Sequence, residues 1–218
     1  MSGAILAMDA AAAACSVALW RKGEILAYRE SPMDRGHAEA LMPLVQEAMA
    51  ATGLAFADLG QVAVGVGPGS FTGIRIALAA ARGIALAANL PVVGIDSFNA
   101  VAAAIPAPAL GARSLLVVID SKQRELFGQY FDCHRLALGE PLVLEAAALL
   151  ARRPAGPLLV AGDGARHLPA APDMTCAEGT GRPDARAIAR LAAEGRVILG
   201  ARPLYLRPPD LTLPQPRP

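Results

Sequence analysis

The chain has 218 residues, a formal net charge of +1 and a 54% share of hydrophobic residues. That length is enough for one large domain or two small lobes with a buried core. No run of like charge occurs, whereas nucleic-acid-binding domains usually carry a basic stripe, so we expect no tight, direct nucleic-acid binding by this chain alone. Cys15, Cys133 and Cys176 form no CxxC pair. Their spacing argues against a disulfide framework or zinc site and favours free thiols in a reducing cytoplasm.

Membrane segments are not predicted. The apolar run at residues 10–20 is too short to span a bilayer, and no basic residue precedes it. No later stretch reaches about 18 uninterrupted apolar residues. We therefore expect a cytoplasmic protein without a membrane partner.

The first half of the chain predicts antiparallel strands followed by alternating helices and strands. A turn at residues 21–23 separates the second and third strands. Asp34 is the expected N-cap of the first helix and Gly53 its C-cap, with Pro43 bending the helix between them. The predicted strands are residues 4–8, 16–20, 25–28, 61–66 and 92–95, and the predicted helices are 34–53, 72–88 and 97–104.

After a proline-rich break at residues 105–108, the same order of elements begins again. Strands ending at Asp9 and Asp120 are each followed by a hairpin partner, which indicates a duplicated unit with a mixed sheet and helices on both faces. We therefore predict an N-terminal lobe at 1–104, a C-terminal lobe at 105–206 and a Pro-rich tail at 207–218. The second-half elements are strands at 115–119, 125–131 and 158–161 and a helix at 184–193, capped by Asp184.

The most informative motif runs from Gln61 to Ile76, where an apolar strand leads into a glycine-rich loop and then a helix. Such a loop brings backbone N–H groups up to a phosphate or to another backbone. It is not a P-loop, because Gly73 is followed by Ile-Arg rather than Lys-Ser/Thr. It is not a dinucleotide fingerprint either, because Thr72 stands where the third glycine is required.

This loop closely resembles the GPGSFTG-[IV]-R signature of the TsaB family, bacterial proteins that help make threonylcarbamoyladenosine in tRNA. Further landmarks of that family occur in order at residues 6–20, 35–43, 91–94 and 203–207. The resemblance implies an α/β fold made of two ribonuclease-H-like lobes of the actin-like ATPase superfamily, with mixed sheets flanked by helices. The signature residues are Gly67, Gly69, Ser70, Phe71, Thr72, Gly73 and Arg75.

Two groups that relatives carry are missing here. Members of the TsaB family usually have Asp-Thr-Ser after the first strand, whereas this chain has Asp9-Ala-Ala, which lacks the hydroxyls that meet a phosphate. Asp9 is therefore predicted to be a turn residue, with a residual nucleotide or ion contact as the alternative. The catalytic paralogue TsaD has His-x-x-x-His on its first helix, where this chain has His37 and Leu41. We predict no catalytic residue and no metal site.

Two further segments depart from the family or fit a simpler interpretation. Asp120 is followed by Ser-Lys where relatives have Ala-Arg, so its role stays open. Residues 162–164, Gly-Asp-Gly, lie where nucleotide-binding members of the superfamily touch adenosine, but a tight turn is the preferred interpretation.

The first two long helices have small, apolar faces, and the second is apolar nearly all round, which indicates cover on more than one side. The resemblance implies that these helices pair with TsaD or with a second copy of the chain. The predicted partner-binding residues are Leu41, Met42, Val45, Met49, Ile76, Ala79, Ala80, Gly83 and Ala87.

The leading hypothesis is a non-catalytic scaffold that dimerises with a TsaD-like paralogue. The resemblance implies that TsaD transfers the threonylcarbamoyl group, that a TsaE-like ATPase cycles the complex and that tRNA is met only through it. It also implies no cofactor, or else ATP or ADP at the joint with the partner. The alternatives are an ATP-dependent small-molecule kinase of the same superfamily and, less favoured, a metallopeptidase.

Overall fold

A computed structural model describes residues 3–179, 181–196 and 199–207. Within these ranges, two sheets are flanked by helices. The strands are β1 (Ala4–Ala12), β2 (Ala14–Arg21), β3 (Glu24–Pro32), β4 (Leu59–Gly65), β5 (Val92–Ile95), β6 (Ser114–Ile119), β7 (Leu126–Phe131), β8 (Leu142–Leu144), β9 (Leu158–Ala161), β10 (Met174–Cys176) and β11 (Leu199–Gly200). The helices are α1 (His37–Thr52), α2 (Phe71–Ala88), α3 (Ser97–Ala104), α4 (Ala107–Leu110), α5 (Ala146–Leu150) and α6 (Ala185–Ala193).

The predicted duplication is confirmed by strand order. The first sheet runs β11-β5-β4-β1-β2-β3, and the second runs β10-β9-β6-β7-β8. In each sheet, the central strand pairs in parallel with one neighbour and antiparallel with the next strand of its hairpin: β1 with β4 and β2, and β6 with β9 and β7. This is the two-lobed arrangement of the actin-like fold.

The turn between β2 and β3 lies where the sequence predicts it. Lys22 and Gly23 connect β2 to β3, and both have positive φ, at 52° and 95°. Positive φ at both central residues is typical of the tight turns whose twist matches that of the flanking strands.

Helices cover both faces of the first sheet, as alternate residues of β1 show. Leu6 and Met8 lie in one core cluster with residues of α1 and α2. Ile5 and Ala7 lie in another cluster with residues of α3 and α6. Because successive strand side chains point to opposite faces, α1 and α2 lie on one side of this sheet and α6 on the other.

The helix caps agree with the prediction at two of three positions. Gly53 ends α1 in the left-handed region, and the Asp184 side chain accepts from the N–H of Arg186 at the start of α6. Asp34 is not the N-cap of α1, which was predicted wrongly. That position is held by Gly36 at φ 90°, without a side-chain bond. The elements that the sequence analysis missed, α4, α5, β8, β10 and β11, have two to five residues, too few to show a periodic pattern.

The first sheet takes its residues from both ends of the chain. Helix α6 packs on β1 and β2, and β11 pairs antiparallel with β5. Both elements therefore belong with the first sheet, although the predicted lobe boundary placed them with the second. An apolar helix face carries no information about which sheet it will cover. The local sequence pattern therefore could not predict that α6 and β11 join the first sheet. Of the predicted Pro-rich tail, residues 208–218 lie outside the described residues.

Helix α2 has the length and apolar composition that a membrane-spanning helix would also need. Seven of its residues are nevertheless buried in this fold, and it packs against β1 and β4. The core helix of an α/β lobe meets the same two criteria, so length and composition alone do not make α2 a membrane span.

Candidate functional site

The signature loop packs its backbone against the end of β1. The N–H of Ser70 donates to the carbonyl oxygen of Ala11 at 2.7 Å. A Cβ on Gly69 would overlap that same oxygen, and a Cβ on Gly73 would overlap the carbonyl oxygen of Ala10. Of the two roles open to this loop from sequence, the structure therefore supports contact with another backbone.

The start of α2 is capped from within the loop. The Ser70 Oγ accepts from the N–H of Gly73 at 3.2 Å, which satisfies one of the free donors of the first turn. Gly67, at φ 95°, lies against the side chain of Ile74 and the carbonyl oxygen of Leu204. The loop is thus fixed on both sides by contacts within the chain.

The outer side of the loop carries an exposed aromatic cluster. Phe71 and Tyr205 stack with ring centroids 5.4 Å apart, and both are about 40% exposed. The Arg75 guanidinium lies 3.7 Å above the Phe71 ring and donates to the Tyr205 hydroxyl at 3.0 Å. Sequence reasoning picked out Phe71 and Arg75 in the loop and residues 203–207 as a separate landmark, but it did not predict that Tyr205 contacts the loop.

Asp9 is buried rather than exposed to a ligand. Its Oδ1 accepts from the N–H of Ala11 at 3.0 Å, and the residue lies within β1, where the pairing with β2 shifts register between Asp9 and Ala12. The predicted turn at a strand end is therefore wrong, because Asp9 is a strand residue beside this shift. Its Oδ2 has no hydrogen-bond partner among the described residues and lies over Gly65. Burial raises the pKa of Asp9 to about 7, because the charged form is desolvated. Asp9 is 1% exposed, and the nucleotide or ion contact stays an untested alternative.

A cleft of about 390 Å³ lies between the two lobes, where Asp9 does not reach. The first lobe contributes residues 11–13 and 69–72, including Thr72, and the second contributes residues 119–122. Among the described lining residues, the carboxylates of Asp34, Asp120 and Asp163 outnumber the one cationic side chain, that of Lys122. Lys122 is itself paired with Asp120, so it is not free to pair with the phosphates of a nucleotide.

Asp120 closes the second-lobe side of that cleft through an ion-pair network. Its Oδ2 lies 3.0 Å from Lys122 Nζ, 2.6 Å from Arg166 Nη2 and 3.3 Å from His167 Nε2. Burial raises the pKa of Asp120, but the bonds from Lys122 and His167 outweigh it and lower the pKa to about 2. This carboxylate is therefore held charged and engaged by its neighbours.

The Gly-Asp-Gly segment at residues 162–164 forms a turn, as preferred from sequence. The N–H of Gly164 donates to the carbonyl oxygen of Val118, and Asp163 Oδ1 accepts from the N–H of Asp120 at 2.8 Å. The turn thus ties the ends of β6 and β9 together.

His37 has a structural contact at the start of α1. Its Nε2 lies 3.0 Å from the carbonyl oxygen of Ala12, so the ring donates to the end of the first hairpin. Leu41, one turn along the helix, is 1% exposed and faces the core. Among the described residues, no group of three or more His, Cys, Asp or Glu side chains could hold a metal.

An apolar groove of about 620 Å³ runs along the outer faces of α1 and α2. Phe56 lines the groove and is 40% exposed, and Leu86, another apolar residue of α2, is 86% exposed. Neither was predicted: Phe56 follows α1, and Leu86 was left out although it lies three residues after Gly83 and seven after Ala79. The described residues that line the groove are Met42, Phe56, Ala57, Ala80, Gly83, Ile84, Ala87 and Ala88.

The predicted partner-binding residues divide into two sets. Leu41, Val45 and Met49 are buried in the core beneath α1, at 1%, 0% and 6% exposure, so these three predictions are corrected. Periodicity identified one apolar face of α1, and that face covers the sheet. Ala79, Gly83 and Ala87 are exposed, Ile76 and Ala80 are half-buried, and Met42 is 37% exposed.

Comparisons with known proteins agree with this geometry. Residues 31–162 match the family model of TsaD, tRNA N6-adenosine threonylcarbamoyltransferase. The chain is 39% identical over 123 residues to the tRNA threonylcarbamoyladenosine biosynthesis protein TsaB of Escherichia coli K12, a match covering 56% of this chain and 52% of the relative. The chain thus spans about half the length of the curated TsaB relatives of this kind.

Two further similarities extend over nearly the whole chain. An uncharacterised protein of Mycobacterium tuberculosis H37Rv is 32% identical over 94% of this chain and 92% of its own length. The crystal structure of YeaZ from Pseudomonas aeruginosa superimposes with a TM-score of 0.79 at 26% identity, covering 94% of this chain and all of that one. With the GPGSFTG loop seated on the first hairpin and the two-lobed fold around it, these matches show that the chain belongs to the TsaB family.

Proposed function

We propose that this protein is a non-catalytic scaffold subunit for threonylcarbamoyl transfer to tRNA adenosine, and that it acts by dimerising with a TsaD-like catalytic paralogue. The proposal combines the name of its TsaB relatives with one structural observation, the exposed apolar groove between α1 and α2. Exposed apolar surface of this kind marks sites of protein association.

The composition of the groove supports helix-to-helix contact in particular. Ala80, Gly83, Ala87 and Ala88 present small side chains, so a partner helix could approach the α2 backbone closely. Met42 and Phe56 supply larger apolar contacts at its edge. Adaptable methionines and aromatic rings are enriched where proteins associate.

The cleft between the lobes supports a non-catalytic role. Three carboxylates and one ammonium line it. In the signature loop, the N–H of Ser70 donates to the carbonyl oxygen of Ala11 and is therefore not free for a ligand. A kinase would need groups that attract and hold phosphate at this position. No observation in the described residues favours the kinase or the metallopeptidase alternative.

The rest of the assembly belongs to the same proposal. We propose that a TsaE-like ATPase binds the heterodimer, that tRNA is bound through the complex, and that threonylcarbamoyl transfer takes place in the cytoplasm. The chain itself would need no cofactor, and any ATP or ADP would lie at the joint with the partner. A second copy of this chain is the competing occupant of the groove.

The decisive experiment is co-purification with the organism's TsaD, followed by a threonylcarbamoyl transfer assay with and without this chain. We expect a stable heterodimer, and transfer that needs both proteins. Ala87→Glu and Ala80→Glu should abolish association on gel filtration, because each places a charge in the apolar groove. Ala148→Glu, at an exposed position on α5, is the matched control and should leave elution unchanged.

Two results would overturn the proposal. One is a heterodimer that survives both groove variants at an unchanged elution volume. The other is appreciable nucleotide hydrolysis or tRNA modification by the purified chain alone. Gel filtration of the chain without TsaD would reveal a homodimer, and sensitivity of that dimer to Ala87→Glu would assign the groove to self-association.

A further inference from the structure

Three arginines that are scattered in sequence converge on one pocket of about 460 Å³ at the end of α3. Arg135 comes from the loop after β7, Arg190 from α6, and Arg196 from the segment that follows α6. Among the described residues that line the pocket, Glu194 is the one carboxylate, and it lies 3.5 Å from Arg196. The lining therefore carries three guanidinium groups against one carboxylate, which leaves an excess of positive charge after the pair between Arg196 and Glu194.

The backbone at Arg135 is strained. Arg135 has φ 62°, a left-handed conformation that is uncommon for residues other than glycine, asparagine and aspartate. Asp132 stabilises this turn, because its Oδ1 accepts from the N–H groups of His134 and Leu136, each at 2.8 Å. The loop thus commits a strained position to an arginine that reaches into the pocket.

Capping of α3 accounts for part of this arrangement. Arg135 donates from Nε to the carbonyl oxygen of Ala102 at 3.0 Å and from Nη2 to that of Ile105 at 2.6 Å. Arg190 donates from Nη2 to the carbonyl oxygen of Ala103 at 3.1 Å. Cations at a helix C-terminus are favourable, but one such end carries only about half a negative charge. Capping does not require three guanidinium groups.

The donors that remain suit an anion. Each guanidinium offers five N–H groups, and those of Arg135 and Arg190 that do not cap α3 have no other hydrogen-bond acceptor among the described residues. Burial lowers the pKa of Arg135, as do the like charges of Arg190 and Arg196, so the three cations repel one another. Guanidinium groups match the oxygens of a phosphate in geometry and in charge.

We propose that Arg135, Arg190 and Arg196 form a binding site for a phosphate group. The phosphate could come from a free inorganic ion or from the backbone of an RNA, and the chemistry is the same in both cases. Since α6 covers the opposite face of the first sheet from α1 and α2, this site is separate from the partner groove and does not depend on the function proposed above.

The test is a titration of the full-length chain, followed through the arginine Nε–Hε signals in proton–nitrogen NMR spectra. One arm adds inorganic phosphate and the other a short single-stranded RNA, each against chloride at the same ionic strength. We expect saturable shifts of the Arg135, Arg190 and Arg196 signals. Arg190→Gln should weaken binding about tenfold, as expected for the loss of one charge-assisted contact. Arg190→Lys, which keeps the charge, should weaken it less.

Controls keep the outcome decisive. Arg124→Gln removes an equally charged, exposed arginine that pairs with Glu145, and it should leave binding unchanged. Arg196→Gln is the second variant if Arg190→Gln disturbs folding, because no capping bond depends on the Arg196 side chain. Saturation by phosphate alone assigns a free anion, and tighter saturation by RNA assigns the nucleic-acid backbone. Shifts that match chloride, or that Arg190→Gln and Arg196→Gln leave unchanged, would overturn the site.

Discussion

Gly73 and Ala10 are in direct backbone contact, because a Cβ at residue 73 would overlap the carbonyl oxygen of Ala10. Ser70, three residues earlier, donates its N–H to the next carbonyl oxygen, that of Ala11. The GPGSFTG signature is therefore first of all a packing motif, which sets the start of α2 against the first hairpin. Its glycines are needed for shape, whatever the family uses the surface for.

Gly73→Ala should lower the free energy of unfolding by about 2 kcal/mol, because the loop or the end of β1 must move to admit the methyl group. Gly83→Ala is the matched control on the same helix, since nothing lies within 4 Å of a Cβ there. The control should be neutral or stabilising by up to about 1 kcal/mol, the difference in helix propensity. Denaturant unfolding measures both, and equal effects of the two changes would contradict the packing role.

Asp9 should make stability fall as the pH rises from about 4 to about 7. Burial raises its pKa from 3.8 to about 7, so between these values the folded chain binds a proton that the unfolded chain has lost. The contribution of this group to the free energy of unfolding is thus largest below about pH 4 and lost by about pH 7. Asp9→Asn removes that loss and should stabilise the chain above neutral pH, by at most about 4 kcal/mol.

The measurement is denaturant unfolding of both proteins at about pH 5 and about pH 8, where linkage predicts a difference between them. The amide side chain of the Asp9→Asn variant keeps an oxygen that can accept from the N–H of Ala11. Asp34→Asn, which removes an exposed carboxylate in the same way, is the matched control. An Asp9→Asn variant with the same pH dependence as the parent would show that Asp9 is not the group responsible.

Leu41 and Met42 are adjacent on α1 but should respond differently to truncation. Leu41→Ala should cost about 2–5 kcal/mol of stability, because the side chain is 1% exposed and leaves a cavity in the core. Met42→Ala should cost less than about 1 kcal/mol, because that side chain is 37% exposed in the groove. Thermal unfolding of the isolated chain compares the two.

The effects of the two changes on association with TsaD should have the reverse order, when both variants are compared at the same concentration of folded protein. Met42→Ala should weaken it, since the partner loses an apolar contact. Leu41→Ala should leave it nearly unchanged under conditions where the chain is folded. If Leu41→Ala weakened association and Met42→Ala did not, the apolar face of α1 that periodicity predicts would be the partner-binding surface after all.

Tyr205 should anchor the segment at residues 203–207 to α2. Tyr205→Phe keeps the ring that stacks on Phe71 and removes the bond from Arg75, so we expect a loss of about 1 kcal/mol or less. Tyr205→Ala also removes the stack and should cost about 1 kcal/mol more. Hydrogen exchange at the N–H of Leu204, which donates to the carbonyl oxygen of Val66, would report the loosening. Protection of this N–H in both variants equal to that in the parent would contradict the anchor.

Sequence by itself determined the features that depend on short-range rules. Lys22-Gly23 fixed the hairpin, Gly53 and Asp184 fixed helix ends, and β5 and α3 have the predicted bounds. The duplicated order of strands followed from alternating apolar runs and breaks. These signals are local, because turn conformation, capping and periodicity depend on residues a few positions apart.

Tertiary structure alone decided which apolar surfaces are covered and which distant groups meet. It buried Leu41, Val45 and Met49, left the groove beside Met42 open, and returned α6 to the first sheet. It also brought Arg135, Arg190 and Arg196 to one pocket, although the sequence shows no basic run. The physical reason is that burial and charge proximity depend on contacts between residues far apart in the chain, and a local pattern does not contain them.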